Sequence, residues 1–312
     1  MDNKEKNFVS AIIYVHNAEK WIGDFLGMII DTLEENFEHS EIICVNDCSV
    51  DGSVEEIKRR SEKATAASVS IVNMSHFHGL ELAMDAGMDL SIGDFVFEFD
   101  NPIPDFAPEM IMKVYRRSLE GFDIVSASPN RKERFSSRLF YKVFARFSDV
   151  SYVMTTESFR VLSRRVINRI SSMNRTIPYR KAIYANSGLR TDNLKYEAME
   201  QARENLDKAE KKYRSGLATD SLILFTGLGY SFSRCMTVLM MLLSVFVIGY
   251  VVIVYFSSNP VPGWTTTLLF LSIAFFGLFG ILTIIIKYLQ LLVNLVFKRK
   301  HYNYESIEKL TK

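Results

Sequence analysis

The sequence predicts an α/β chain, a doubly wound and mostly parallel sheet followed by two apolar helices. Three observations predict it. Short apolar runs of strand length alternate with longer amphipathic segments through residues 8–127. Polar turns follow the first two of those runs, where a parallel sheet places its ligands. Farther on, Cys235–Ile286 holds no Asp, Glu, Lys or Arg.

The elements follow in order. Phe8–Val15, Glu41–Val45, Val69–Asn73, Phe95–Phe99 and Phe122–Ser126 are near-continuous apolar runs and predict buried strands. Between them Lys20–Asn36, Ser53–Lys63, Leu80–Leu90 and Pro108–Leu119 carry helical periodicity. Asp192–Arg214, dense in Glu, Lys and Arg at spacings of three and four, predicts a solvated helix held by ion pairs.

The uncharged stretch divides into Cys235–Phe256 and Trp264–Ile286 around the turn Ser257–Gly263. Each run has about 22 residues, enough at 1.5 Å per residue for a hydrocarbon core of about 30 Å. A transmembrane hairpin is expected. Arg234 before it, and Lys287, Lys298, Arg299 and Lys300 after it, set both termini on the cytoplasmic face. The expected domains are a cytosolic unit over 1–234, the hairpin over 235–286 and a basic cytoplasmic tail over 287–312. Polar Met1–Asn7 predicts no cleaved signal peptide. An integral membrane protein is the expected setting.

Charge supports this division. The net charge of +1 hides 31 basic and 34 acidic residues in 1–234 against 6 and 2 in 235–312. No basic field of the kind nucleic acid requires is present. Three cysteines do not make a disulfide framework, and Cys44 with Cys48 lacks the two further ligands of a zinc site.

The polar strand ends carry the chemistry. Tyr14-Val-His-Asn-Ala-Glu19 closes the first strand and Val45-Asn-Asp-Cys-Ser-Val-Asp-Gly-Ser53 the second. Asp47, Ser49 and Asp51 suit hydrogen bonds to a base or ribose; Asp51 and Ser53 equally suit the cap of the next helix. Val9–Glu19 resembles the opening strand of family 2 glycosyltransferases of the GT-A fold, and Val45–Ser53 resembles their Asp-Asp-Gly-Ser-x-Asp-Gly-Thr loop. Ser75-His-Phe-His-Gly-Leu-Glu-Leu-Ala83, with Ala86-Gly87 and Gly93-Asp94, is similar to their glycine-spaced helix before the central strand. The chain also resembles the polyisoprenyl-phosphate glycosyltransferases, including dolichyl-phosphate mannose synthases and bacterial lipid-linked glucosyltransferases. Ser158–Arg165, Asp220–Thr226 and Lys300–Glu305 carry that likeness. It implies a nucleotide-sugar donor with Val15, Asn17, Glu19, Asp47, Ser49 and Gly79 at the nucleotide-sugar end. It further implies a polyprenyl-phosphate acceptor, a membrane setting and a homo-oligomer.

The family's Asp-x-Asp motif after the central strand implies Mg²⁺ or Mn²⁺. Here the segment reads Phe99-Asp100-Asn-Pro-Ile-Pro-Asp105. Asp100 matches the first carboxylate and is the expected metal or donor-sugar contact, but Pro102 stands at the second. Proline offers neither a side-chain ligand nor a backbone donor. Ser158 likewise stands where the family has Asp. Two readings follow. One is an enzyme that stabilises the leaving diphosphate mainly with arginines, with at most a weak metal site at Asp100 and Asp105. The other is a degenerate relative that binds nucleotide or lipid, as a scaffold or partner of an active transferase. His76 and His78 replace an Arg and a Phe of the pattern, so surface or core roles are expected.

On the acceptor side, Phe140, Val143, Phe144 and Phe147 fall at helical spacing, with Arg138, Lys142 and Arg146 on or beside the other face. That pattern predicts an interfacial helix, apolar side in lipid and basic side toward phosphate. The resemblance places Arg131 and Arg134 near the donor diphosphate and acceptor phosphate, and adds Arg160 as a catalytic residue with Asp100. It implies inversion by in-line attack of the lipid phosphate.

Overall fold

A computed structural model describes residues 4–130, 157–172, 180–186, 188–199, 263–297 and 302–311, together with Lys142 and scattered positions between 213 and 246. Its strands are β1 (Val9–Val15), β2 (Ser40–Asn46), β3 (Ser68–Met74), β4 (Phe95–Phe99), β5 (Ile124–Pro129), β6 (Phe159–Ser163), β7 (Thr191–Tyr196) and β8 (Tyr304–Lys309). Its helices, numbered in chain order, are α1 (Glu19–Asn36), α2 (Ser53–Ser61), α3 (Leu80–Leu90), α4 (Glu109–Leu119), α5 (Arg164–Ser172), α6 (Arg180–Asn186) and α7 (Trp264–Phe297).

The strands form one sheet in the order β7-β5-β6-β4-β1-β2-β3-β8. β1 pairs in parallel with β2 and β4, β2 with β3, and β5 with β7. Only β6 and β8 run against their neighbours. All seven residues of β1 are buried, as expected for a strand covered on both faces.

Alternate residues feed two cores. Ala11, Ile13 and Val15 face one layer with Ile22, Phe25, Leu26 and Ile29 of α1 and Ile111, Val114 and Tyr115 of α4. Ile12 and Tyr14 face the other, with Ala83, Met84 and Ala86 of α3 and Val166 and Ile167 of α5. Phe25 meets Phe99 edge-on at 5.3 Å between centroids, fastening α1 to the end of the central strand. α3 lies so close to the sheet that a Cβ on Gly87 would come within 2.5 Å of Ile12 Cγ2.

Three outer segments differ from the sequence reading. Asp192–Tyr196, expected to open a solvated helix, belongs to strand β7 at the end of the sheet order. Leu194 and Tyr196 reach the core, while Asp192 pairs with Arg117 at 2.5 Å and Asn193 donates to Ser126 and Ser128. Its charges suit a strand with one free edge. The rest of the proposed helix, apart from described positions such as Tyr213, lies outside the described residues. The tail expected over 287–312 begins inside α7 and later returns as β8, antiparallel to β3. Asn73 Nδ2 donates to Ser306 and Glu308, and Lys58 pairs with Glu308 at 2.8 Å.

α7 has 34 residues and runs beyond Ile286, a length of about 51 Å at 1.5 Å rise. Leu271, Phe275, Leu278, Leu282, Ile285, Leu289 and Leu292 recur at steps of four and three, and each is 42–55% exposed. A Cβ on Gly277 would fall 2.3 Å from Met240 Cε, so α7 packs against the stretch around 240. Counting only residues described in full, no helix is long and apolar enough to cross a membrane. Several α7 side chains, and most of 235–256, lie outside that set.

Candidate functional site

The site sits at the carboxyl ends of β1, β2 and β4. After β1 and β2, two loops lock together head to head. The Asn17 backbone N–H donates to Ser49 Oγ at 3.0 Å, and Asn17 Oδ1 accepts from Val50 N at 2.9 Å. Asp51 Oδ2 accepts from Glu19 N at 3.0 Å, and Glu19 Oε2 accepts from Gly52 N at 3.1 Å. Asn17 (φ 49°) and Cys48 (φ 56°) adopt left-handed backbone that brings these groups together.

Asp47 is fully buried and faces inward. Its Oδ1 accepts from His78 N and its Oδ2 from Gly79 N, both at 2.8 Å, and Tyr14 Oη lies 3.1 Å from Oδ2. It therefore pins the 75–79 loop to β2. Gly79 holds φ 84° there, a conformation glycine adopts without strain. Beside this loop His16 tilts against Phe77 at 4.8 Å. His78 is buried and stacks on His76 at 3.9 Å. Its Nε2 accepts from Asn303 N at 3.2 Å, so its Nδ1 carries the proton toward the His76 carbonyl at 2.5 Å. Both ring nitrogens are engaged, consistent with a core role.

Around Asp100 lies a buried charge network. Arg160, 1% exposed, donates from Nε to Glu157 at 3.1 Å, from Nη1 to Glu98 at 2.9 Å and from Nη2 to Asp100 Oδ2 at 2.7 Å. Arg180 donates from Nε to Glu81 at 2.9 Å, from Nη1 to Glu98 at 2.6 Å and from Nη2 to Asp100 Oδ1 at 2.8 Å. Tyr184 Oη adds a bond to Glu98 at 2.9 Å. Lys181 Nζ stands 3.9 Å from Asp100 Oδ2. Burial alone would raise the Asp100 pKa, but Arg160, Arg180 and Lys181 outweigh it and hold the carboxyl well below the usual carboxylate range. Burial, then Glu98, drives the Tyr184 hydroxyl far above its ordinary value.

Sequence reasoning missed Glu81, Glu98, Arg180 and Lys181. Glu98 was the available signal. A charge inside Phe95-Val-Phe-Glu-Phe99 is fully buried and demands partners. Of the remaining expected residues, Val15 is buried in β1, Arg160 belongs to the network, and Lys142 is exposed. Arg131, Arg134, Arg138 and Arg146 lie outside the described residues.

The donor set does not fit a divalent cation. Mg²⁺ and Mn²⁺ want several oxygens in near-octahedral array. Both Asp100 oxygens already accept guanidinium N–H groups, and Pro102 replaces the second carboxylate. Asp105 accepts instead from Tyr196 Oη at 2.8 Å, and Ser158 Oγ lies 2.5 Å from that hydroxyl. Among the described residues no group of three or more His, Cys, Asp or Glu is placed to hold a metal.

A cavity of about 570 Å³ opens between α1 and α2, lined by Asn17, Glu19, Lys20, Gly23, Asp24, Asp51, Glu56 and Arg59. Its four carboxylates outnumber its two cations, which disfavours a diphosphate there.

A family model described as Glycosyl transferase family 2 matches residues 10–171. The chain belongs to that family. Its α/β domain is GT-A-like, and β2, β4 and the whole Asp100 network except Arg180, Lys181 and Tyr184 lie inside the matched segment. An uncharacterised glycosyltransferase of Synechocystis is 29% identical over 188 residues, 58% of each chain. The prophage bactoprenol glucosyl transferase homolog of Escherichia coli K12 is 27% identical, over 60% of this chain and 62% of its own. The matches thus span less than two thirds of these relatives' lengths. The crystal structure of mannosyl-3-phosphoglycerate synthase from Rubrobacter xylanophilus shares the fold, with a TM-score of 0.51 and 19% identity over 69% of this chain and 74% of that one.

Proposed function

We propose that this glycosyltransferase is membrane-anchored and moves one sugar from a nucleotide-sugar to polyprenyl phosphate. The observation that carries the reading is the similarity to a relative named for bactoprenol glucosyl transfer. The donor would lie across the locked loops of β1 and β2, its diphosphate toward Asp100. Arg131 and Arg134 would serve the diphosphate and acceptor phosphate, and Arg138, Lys142 and Arg146 the membrane interface.

The chemistry needs no protein base, because the acceptor phosphate oxygen is already anionic near pH 7. That oxygen bonds to the anomeric carbon as the bond from that carbon to the diphosphate oxygen breaks. The nucleoside diphosphate then leaves, and the configuration inverts. The protein aligns the two reactants and neutralises the leaving group. Arg160 acts by positioning, since its three donor positions are committed to Glu157, Glu98 and Asp100.

Two features support the anchor. β8 lies beside β3, so Tyr304 is on the same side of any bilayer as the sheet, and crossings between 234 and 304 must be even in number. Met240 and Gly277, which pack together, lie at similar distances from the turn at 257–263, as an antiparallel hairpin requires. The exposed apolar face of α7 would then meet lipid. The spans are 235–256 and 264–286, with 1–234 and the tail cytoplasmic.

The test is reaction of the purified full chain with nucleotide-sugars and undecaprenyl or dolichyl phosphate. A glycolipid product supports the reading. A product on a different acceptor would reassign the lipid side.

A further inference from the structure

Among the described residues, the geometry points to Lys181 Nζ as the cation that meets the donor diphosphate beside Asp100, alongside Arg131 and Arg134, in the place that Asp-x-Asp enzymes give to a divalent metal. This rests on the proposed donor site over Asp100.

The fixed charges around Asp100 are already committed to one another. Four carboxylates, Glu81, Glu98, Asp100 and Glu157, surround two guanidiniums that are 1% and 3% exposed. Each guanidinium donates to three different carboxylates, so neither can turn to a ligand without stranding a buried anion. A metal meets the same obstacle from the other side. To reach Asp100 it must displace a guanidinium N–H and then sit among three positive charges.

Lys181 is placed differently. Its neighbour Arg180 is anchored by both side chain and backbone, with Arg180 N donating to Glu81 Oε2 at 3.0 Å. That anchors the start of the Lys181 stem. Among the described residues its Nζ makes only the 3.9 Å contact to Asp100, and the side chain is 15% exposed. An ammonium has three donors on a flexible stem and binds phosphate as a compact point charge. Asp100 holds it loosely at the mouth of the site. Because Phe99 pairs with Ile13, that mouth adjoins the loop after β1 where the donor nucleotide is expected.

The test is calorimetric titration of the detergent-solubilised full chain with UDP and GDP, in EDTA and then with Mg²⁺ or Mn²⁺. Wild type is expected to bind one of them in EDTA, with affinity changed less than about twofold by metal. Lys181→Met should weaken metal-free binding by about tenfold or more, and Lys181→Arg should recover most of it. Binding that requires Mn²⁺ or Mg²⁺ overturns the inference on wild type alone and leaves the transferase reading standing. So does metal-free binding unchanged in a folded Lys181→Met. Failure of both nucleotides to bind under every condition overturns the donor reading, and this inference with it.

Discussion

Arg180 donates to Asp100 Oδ1 at 2.8 Å across a separation of 80 residues in the chain. Arg160 holds the other oxygen, so the first residue after the central strand is gripped from two elements at once. The same Arg180 reaches Glu81 on α3, two residues beyond the Gly79 that Asp47 pins. A continuous polar chain thus joins the end of β2 to the end of β4.

Removing that link should be costly. Arg180→Ala takes from buried Glu81 the cation it pairs with among the described residues, and leaves Glu98 and Asp100 with Arg160 as their remaining guanidinium, a loss of about 3–5 kcal/mol. Denaturant unfolding of the purified protein reads it directly. A loss under about 1 kcal/mol would mean that the network is not held as described.

The loop beneath the donor should depend on Asp47. Asp47→Ala leaves the His78 and Gly79 N–H groups without their acceptor, at about 1–3 kcal/mol for each group left unpaired. Nucleoside diphosphate affinity should fall about tenfold or more as the loop loosens. Unchanged affinity would place the nucleotide elsewhere.

Acid should weaken the fold through Asp100. Its folded carboxyl is held below the ordinary value of 3.8. Above that value folded and unfolded chains both carry the carboxylate, and the stabilisation is whole. As pH falls below it, the unfolded chain takes up a proton that the folded chain resists, so stability drops until the folded carboxyl also titrates. Melting curves from pH 6 to 3 should therefore fall more steeply for wild type than for Asp100→Asn. Parallel profiles would contradict the ion-pair assignment.

The anchor makes a topological prediction. A cysteine at Asn259, in the turn between the proposed spans, should react with a membrane-impermeant maleimide on intact spheroplasts in a Cys235→Ser background. Exposed Cys48 should react only after permeabilisation. Labelling of both, or of Cys48 alone, in intact cells would reject the orientation.

The central strands were legible because burial on both faces leaves an unbroken apolar run, as in Val9–Val15. The bounds of α3 agree with the periodicity to the residue. β6 was hidden because Arg160 interrupts Phe-Arg-Val-Leu-Ser, and its burial makes sense only once three carboxylates from outside the strand surround it. β7 reads locally as a charged helix, and only its pairing with β5 makes it a strand. β8 pairs across more than 230 residues, which no local pattern encodes. In the candidate site, Asn17, Glu19, Asp47 and Ser49 were visible as strand-end polar groups. Their orientation was not, since Asp47 turns inward to backbone N–H groups of a loop 31 residues away.

The most direct measurement is mass spectrometry of the lipid product formed by the purified full chain from a panel of nucleotide-sugars with undecaprenyl phosphate. The enzyme should add one sugar to the lipid phosphate, and Asp100→Ala should lose that product. Nucleotide binding with no glycolipid from any donor, with or without divalent metal, would contradict it.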